Sequence, residues 1–403
     1  MSFSIGKIAL AGGVALGALA LAFGTQWSAQ AQQKKDLPRT VVWTAYDVGS
    51  GGYSSAASIG HVMAQKEGIT MRVIPGGNDI ARQSPLAARR AHFGALGIAS
   101  FLSQEGVMEF GAPEWGPQPM RILNMAWADF NTGVASCAAD SGVKMVSDMK
   151  GKRIAWVVGA PALNLNMTGW LAGGGLTWDD VQKIEFPSWG ASTRAVREGQ
   201  ADCWIASTNS GGVYELANSP RGYQPAHMPK PQEDPEAWKR LRRVTPYYEY
   251  NEATIGAKPV SKQTPHVGAT YGYPIVSAYA DQDEELVYQQ TRMIVELNKD
   301  YKDAFPGNDG YAMERQRLQW VIPYHPGAVR YYKERGVWKE EEDKHNARLI
   351  ERQKVLAEAW EKALAERDEK EVAVKDFATL WMKHRAEALK KGNFEPYWVE
   401  KFW

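Results

Sequence analysis

Thr40-Val41-Val42-Trp43-Thr44-Ala45, followed by Asp47-Val48-Gly49-Ser50-Gly51-Gly52-Tyr53-Ser54-Ser55, decides how this chain is read. The first run is apolar and β-branched, the pattern of a buried strand, and the small polar residues after it read as a flexible turn. A helix is expected over residues 56–67. Met71-Arg72-Val73-Ile74 then reads as a second strand, ending at Pro75-Gly76-Gly77-Asn78-Asp79. A second helix over residues 80–90 leads to a third strand, Phe93-Gly94-Ala95-Leu96-Gly97-Ile98. This β-loop-α alternation predicts a parallel sheet with right-handed crossovers. Ligands of such sheets bind outside the carboxyl ends of the strands. The loops at 49–55, 75–79 and 99–103 lie there.

A second unit of the same style starts after Trp127-Ala128-Asp129-Phe130-Asn131. Its strands are expected at Arg153-Ile154-Ala155-Trp156-Val157-Val158, Lys183-Ile184-Glu185-Phe186 and Cys203-Trp204-Ile205-Ala206. The loop Gly159-Ala160-Pro161-Ala162-Leu163-Asn164 precedes a helix through Trp170, and Pro187-Ser188-Trp189-Gly190 precedes another. A Pro-rich connection over 220–235 follows. The chain then returns to the first unit, with a strand expected over 268–279 and a helix over 284–302.

With 44% hydrophobic and 23% charged residues the chain has ample material for a core, and disorder is excluded. Lys and Arg number 47 against 46 Asp and Glu, a net charge of +1, so nothing in the bulk charge attracts nucleic acid. Residues 8–23 are apolar, and Ala29-Gln30-Ala31 follows, the layout of a secretory signal with cleavage expected after Ala31. Export places Cys137 and Cys203 in an oxidising compartment. A bridge and two buried thiols are both open, with the thiols preferred. Neither cysteine sits in a C-x-x-C pair or beside a histidine, so redox chemistry is not expected.

Motifs for chemistry are absent. The sequence has no phosphate-loop lysine signature, no G-x-S-x-G and no H-E-x-x-H. Its 7 histidines never pair at helical spacing, so no metal is expected. No cofactor and no catalytic residue are expected either, and a binding role is favoured over an enzyme.

Several stretches resemble the TAXI group of receptors that serve tripartite ATP-independent periplasmic (TRAP) transporters. They are Gly51-Gly52-Tyr53, Pro75-Gly76-Gly77-Asn78-Asp79, and Asp148-Met149-Lys150-Gly151-Lys152-Arg153-Ile154 with Gly199-Gln200-Ala201-Asp202 downstream. Pro246-Tyr247-Tyr248 follows, and then the most specific string, Pro323-Tyr324-His325-Pro326-Gly327-Ala328-Val329-Arg330-Tyr331-Tyr332. The resemblance implies a two-lobed α/β type II periplasmic-binding-protein fold that closes on a hinge. The expected organisation is a signal peptide over 1–31, lobe 1 over 40–131, lobe 2 over 132–245, and lobe 1 again over 246–338. Hinges are expected at 131–134 and 244–248. The resemblance also implies a monomer that captures a small organic anion, carboxylate or amino-acid-like, and delivers it to TRAP membrane subunits. The alternative is a sensor of the same fold that signals to a membrane partner. The segment from Ala160 to Asn166 and that from Ser207 to Gly212 depart from the family pattern, so a glutamate-like specificity is not carried over.

Candidate ligand contacts follow the strand ends. From lobe 1 they are Ser50, Gly51, Gly52, Tyr53, Asn78, Arg82 and Ser100, with Arg82 placed to meet a carboxylate. From lobe 2 they are Asn164, Asn166, Trp189, Ser207 and Asn209, and Tyr271 is added from the returning segment. Beyond Trp338 comes a charged extension over 339–403. Between Glu340 and Glu371, 18 of 32 residues carry charge. Leu349, Leu356, Trp360 and Ala363 recur at helical spacing, and Phe377, Leu380, Trp381 and Ala388 share a face. A long solvated helix packed on the surface by one apolar stripe is expected, dispensable for binding, with a dimerising or permease-contacting arm as the alternative.

Overall fold

The structure, a computed structural model, describes residues 37–399. The expected signal segment lies outside the described residues. Lobe 1 begins β1 (Thr40–Tyr46), α1 (Gly51–Glu67), β2 (Thr70–Gly76), α2 (Asp79–Ala87), β3 (Phe93–Leu96), α3 (Ala99–Glu105), β4 (Met120–Met125). The chain then crosses into lobe 2, made of β5 (Val134–Ala138), β6 (Arg153–Val157), α4 (Pro161–Gly173), β7 (Gln182–Phe186), α5 (Trp189–Arg197), β8 (Cys203–Ala206), α6 (Gly211–Ala217), β9 (Tyr223–Pro225) and α7 (Pro235–Val244). A hairpin of β10 (Glu249–Ala253) and β11 (His266–Thr270) leads back to lobe 1 through β12 (Ile275–Tyr279), α8 (Glu284–Glu296), α9 (Asn298–Tyr301) and α10 (Pro326–Glu334). Two long helices follow, α11 (Glu340–Glu369) and α12 (Val374–Lys391).

Each lobe holds one five-stranded sheet, ordered β2-β1-β3-β12-β4 and β7-β6-β8-β5-β9. This is the two-lobed α/β architecture the sequence predicts. Each sheet also carries one antiparallel strand, β12 in lobe 1 and β5 in lobe 2. In both lobes it is the strand that enters straight from the other side, so its direction is set by the crossing and not by a helical return. Strands β3, β8, β12 and the edge strand β4 are buried at every residue, whereas edge strands β2 and β7 are partly exposed. That matches sheets covered by helices on both faces.

Four local expectations are corrected. Helix α1 starts at Gly51 and not at 56, because the Ser50 hydroxyl accepts from the Tyr53 N–H and caps it. The expected strand over 268–279 is two strands in different sheets. Pro274 has no N–H for a ladder, and the 271–274 turn between them is where the chain re-enters lobe 1. Residues 244–248 instead join α7 to β10. Cys137 and Cys203, expected as free thiols, are register partners on β5 and β8 and form a disulfide with Cα atoms 4.0 Å apart.

The extension packs on the surface as expected, but as a two-helix hairpin held by buried charge as well as by an apolar stripe. Helices α11 and α12 pack as a hairpin against α3, with Trp360 edge-on to Trp381 at 4.8 Å and to Phe377 at 5.1 Å. Beneath them lies Glu105, fully buried, whose carboxylate takes two hydrogen bonds of 2.7 Å from Arg352 and pairs with Arg385. Arg385 also donates to the carbonyls of Pro396 and Trp398 at 2.7 and 2.9 Å. The Leu349, Leu380 and Ala388 positions of the expected stripe are only half-buried. The arginines that complete the interface look like solvated charges in the sequence.

Candidate functional site

The carboxyl ends of the two sheets face each other across a seam of direct hydrogen bonds. The Gly211 N–H donates to the Gly49 carbonyl at 2.9 Å, and the Trp189 N–H to the Gly77 carbonyl at 3.0 Å. The Asp79 N–H donates to the Gly159 carbonyl at 3.0 Å, and the Asn209 amide to the Pro306 carbonyl at 2.6 Å. The structure is therefore in a closed arrangement.

Between the sheets lies a small cavity of about 30 Å³, which in this closed arrangement leaves room only for a very small solute. Lobe 1 supplies Tyr46, Ser50 and Gly51; the first crossing supplies Thr132 and Gly133; and the return supplies Tyr271 and Tyr273. Lobe 2 supplies Leu163, Asn166, Trp189, Ile205, Ala206, Ser207 and Ser210.

The wall is held by neutral hydrogen bonds. The Gly52 N–H donates to the Tyr273 hydroxyl at 3.1 Å, and a Cβ at Gly52 would lie 2.7 Å from that oxygen, which explains the glycine. Asn166 donates to the Tyr271 hydroxyl at 3.2 Å and accepts from the Tyr247 hydroxyl at 2.8 Å. Gly133, at φ +66°, passes so close to Tyr248 and Asn166 that any side chain would collide. Trp189 is fixed by a 2.9 Å bond from its indole N–H to the Ile205 carbonyl. Burial raises the Tyr46, Tyr271 and Tyr273 hydroxyls above the ordinary phenolic range, so they stay protonated.

Of the expected contacts, Ser50, Gly51, Asn166, Trp189, Ser207 and Tyr271 line this cavity. The others stand outside the wall. Gly52 sits behind it on Tyr273, and Tyr53 is half-buried on α1. Asn78 caps α2 by accepting from the Ala81 N–H at 2.8 Å, and Asn209 belongs to the seam. Ser100 bonds Ser277 at 3.0 Å inside lobe 1. Asn164 clamps both backbone groups of Val157 at 3.0 and 2.8 Å.

Arg82 is the main correction. Its fully buried guanidinium pairs with Asp79, donates to the Gly76 carbonyl at 2.7 Å and lies 3.4 Å above the Tyr46 ring. Asp79 occupies the place expected for a ligand carboxylate. Burial pushes the Asp79 carboxyl upward while the Arg82 charge pulls the other way. Tyr46, Thr132 and Tyr273 were missed by sequence reasoning. The signal for two of them was present in Asn131-Thr132-Gly133 and Tyr271-Gly272-Tyr273-Pro274, the two passages between lobes.

A model of the NMT1-like family matches residues 46–336. Among solved structures, the chain is similar to the alkanesulfonate-binding protein of Xanthomonas axonopodis pv. citri bound to MOPS, at 13% identity and a TM-score of 0.40, covering 75% of this chain and 96% of that one. It is also similar to a Prochlorococcus marinus protein in complex with methylphosphonate, at 10% identity and a TM-score of 0.42, covering 75% and 100%. A third is an amino acid ABC transporter substrate-binding protein from Streptococcus pneumoniae bound to L-arginine, at 11% identity and a TM-score of 0.38, covering 67% and 95%.

Proposed function

This chain belongs to the NMT1-like family, and from that premise we propose that it is an exported solute-binding receptor that captures a small organic anion between its lobes. The observation that carries the reading is the cavity itself. It is walled by both lobes and both crossings at the carboxyl ends of the two sheets, so opening the lobes exposes it and closing them buries a solute. The amino end of the 17-residue α1 forms part of that wall, which favours an oxyanion. Its role is binding and not catalysis, in the periplasm, with handover to the membrane subunits of a TRAP-type permease. The stretches quoted above as resembling TAXI receptors support that partner.

A thermal-shift screen of organic acids tests the reading. A solute that binds only the folded state adds about RT ln(1 + [L]/Kd), roughly 2.7 kcal/mol at a hundredfold excess over Kd. A set of acids that leaves the melting temperature unmoved would remove it.

A further inference from the structure

Two independent features of the cavity point to what it takes, on the reading that it holds a solute. The first is its donor set. Among the first N–H groups of α1, that of Gly52 goes to Tyr273 and that of Tyr53 to Ser50, which leaves the Gly51 N–H as the first-turn donor on the cavity wall. The second is Thr132. It lines the same cavity, is 2% exposed, and its hydroxyl has no hydrogen-bond partner among the described residues. An unpartnered buried hydroxyl is costly unless something else supplies the bond.

The lining residues carry no charged side chain. The Asp79–Arg82 ion pair lies behind the Tyr46 ring and is not among the lining residues. An ammonium group brought into the cavity would find no carboxylate, and a second carboxylate would find no cation. Either charge would be desolvated without compensation. One carboxylate, by contrast, is served by the Gly51 N–H and the Thr132 hydroxyl, and by the positive end of α1. Leu163, Trp189 and Ile205 offer apolar surface to the remainder of a small molecule.

We propose that this cavity selects small monocarboxylates with an apolar remainder, read by neutral donors that include Thr132 and the Gly51 N–H, and rejects amino acids and dicarboxylates. The test is calorimetry on the full mature chain with propionate, 2-oxobutanoate, alanine, glutamate and succinate. The expected result is binding of propionate or 2-oxobutanoate at least about tenfold tighter than alanine, glutamate or succinate. Alanine, glutamate or succinate binding as tightly or tighter overturns the proposal while leaving a solute receptor in place. No binding by any of the five, nor by a wider acid screen, overturns both. Thr132→Val keeps the shape and removes the hydroxyl, and should weaken the bound monocarboxylate about tenfold. Thr132→Ser should restore it to within about threefold, with melting curves showing an intact fold throughout. Unchanged affinity in Thr132→Val overturns the role given to Thr132.

Discussion

The carboxylate of Asp79, on the first turn of α2 in lobe 1, accepts a 2.7 Å hydrogen bond from the N–H of Ala162, on the first turn of α4 in lobe 2. Its other oxygen pairs with Arg82. One side chain thus neutralises a buried cation in its own lobe and caps a helix in the opposite one. Asp79→Ala should lower stability by about 3–5 kcal/mol, because it strands the Arg82 charge. It should also loosen closure, since the amino end of α4 loses its acceptor. Chemical denaturation and the radius of gyration from small-angle scattering check the two effects. Wild-type values for both would remove Asp79 as the tie between lobes.

Glu105 makes the C-terminal hairpin a structural necessity. The two arginines around it hold its carboxyl down, against the opposing effect of burial, at about 2. A chain ending at Trp338 strips this carboxylate of both arginines and uncovers the apolar surface that α11 and α12 bury, and should be markedly less stable. Arg385→Ala alone should cost about 3–5 kcal/mol. The sign with pH follows from the depressed value. The contribution of Glu105 is present above the ordinary carboxylate range and is lost as pH falls from about 4.5 through 2. Urea titrations of wild type and Glu105→Gln across that window should converge at the acid end.

His266 gives a second acid-side sensitivity, in a different window. It is fully buried among Asn131, Trp170, His227 and the Ala226 carbonyl, and burial lowers its value from 6.5 to about 3. A histidine held neutral contributes stability above its unfolded value, and that stability drains as pH falls from 6.5 toward 3. Melting temperatures should decline over that range, and His266→Gln should flatten the decline. An equally steep decline in the variant would assign it elsewhere.

The disulfide joins strands β5 and β8 across a separation of 66 residues. By the loop-entropy relation a loop of that size is worth about 4 kcal/mol. Reduction, or Cys137→Ser with Cys203→Ser, should lower the melting temperature by several degrees while leaving lobe 1 packed. Near-ultraviolet circular dichroism and calorimetry under reducing agent check this.

The alternation of β1, α1, β2, α2 and β3 was legible because a covered parallel sheet writes its strands as apolar runs and its turns as small polar residues. Partnership was not. Arg82 reads as an open guanidinium until the fold sets Asp79, three residues earlier, beneath it. The arginines of α11 and α12 read as solvent-facing for the same reason, since a charge pattern does not reveal which carboxylate lies below. The start of α1 was hidden by two glycines that resemble a loop but serve Tyr273. The break at Tyr273-Pro274 was hidden by apolar residues on both sides of it.

The central strand β12 of lobe 1 lies between β3 and β4, and Arg385 reaches Glu105 across 280 positions of sequence. Lobe 2, by contrast, is drawn from one continuous stretch, β5 to α7. During synthesis the first sheet therefore waits, with an open slot in its middle and an uncompensated carboxylate at its edge, until nearly the whole chain has emerged. Lobe 2 can therefore close on itself while lobe 1 still lacks its central strand, and the first lobe to be started is the last to reach its final shape.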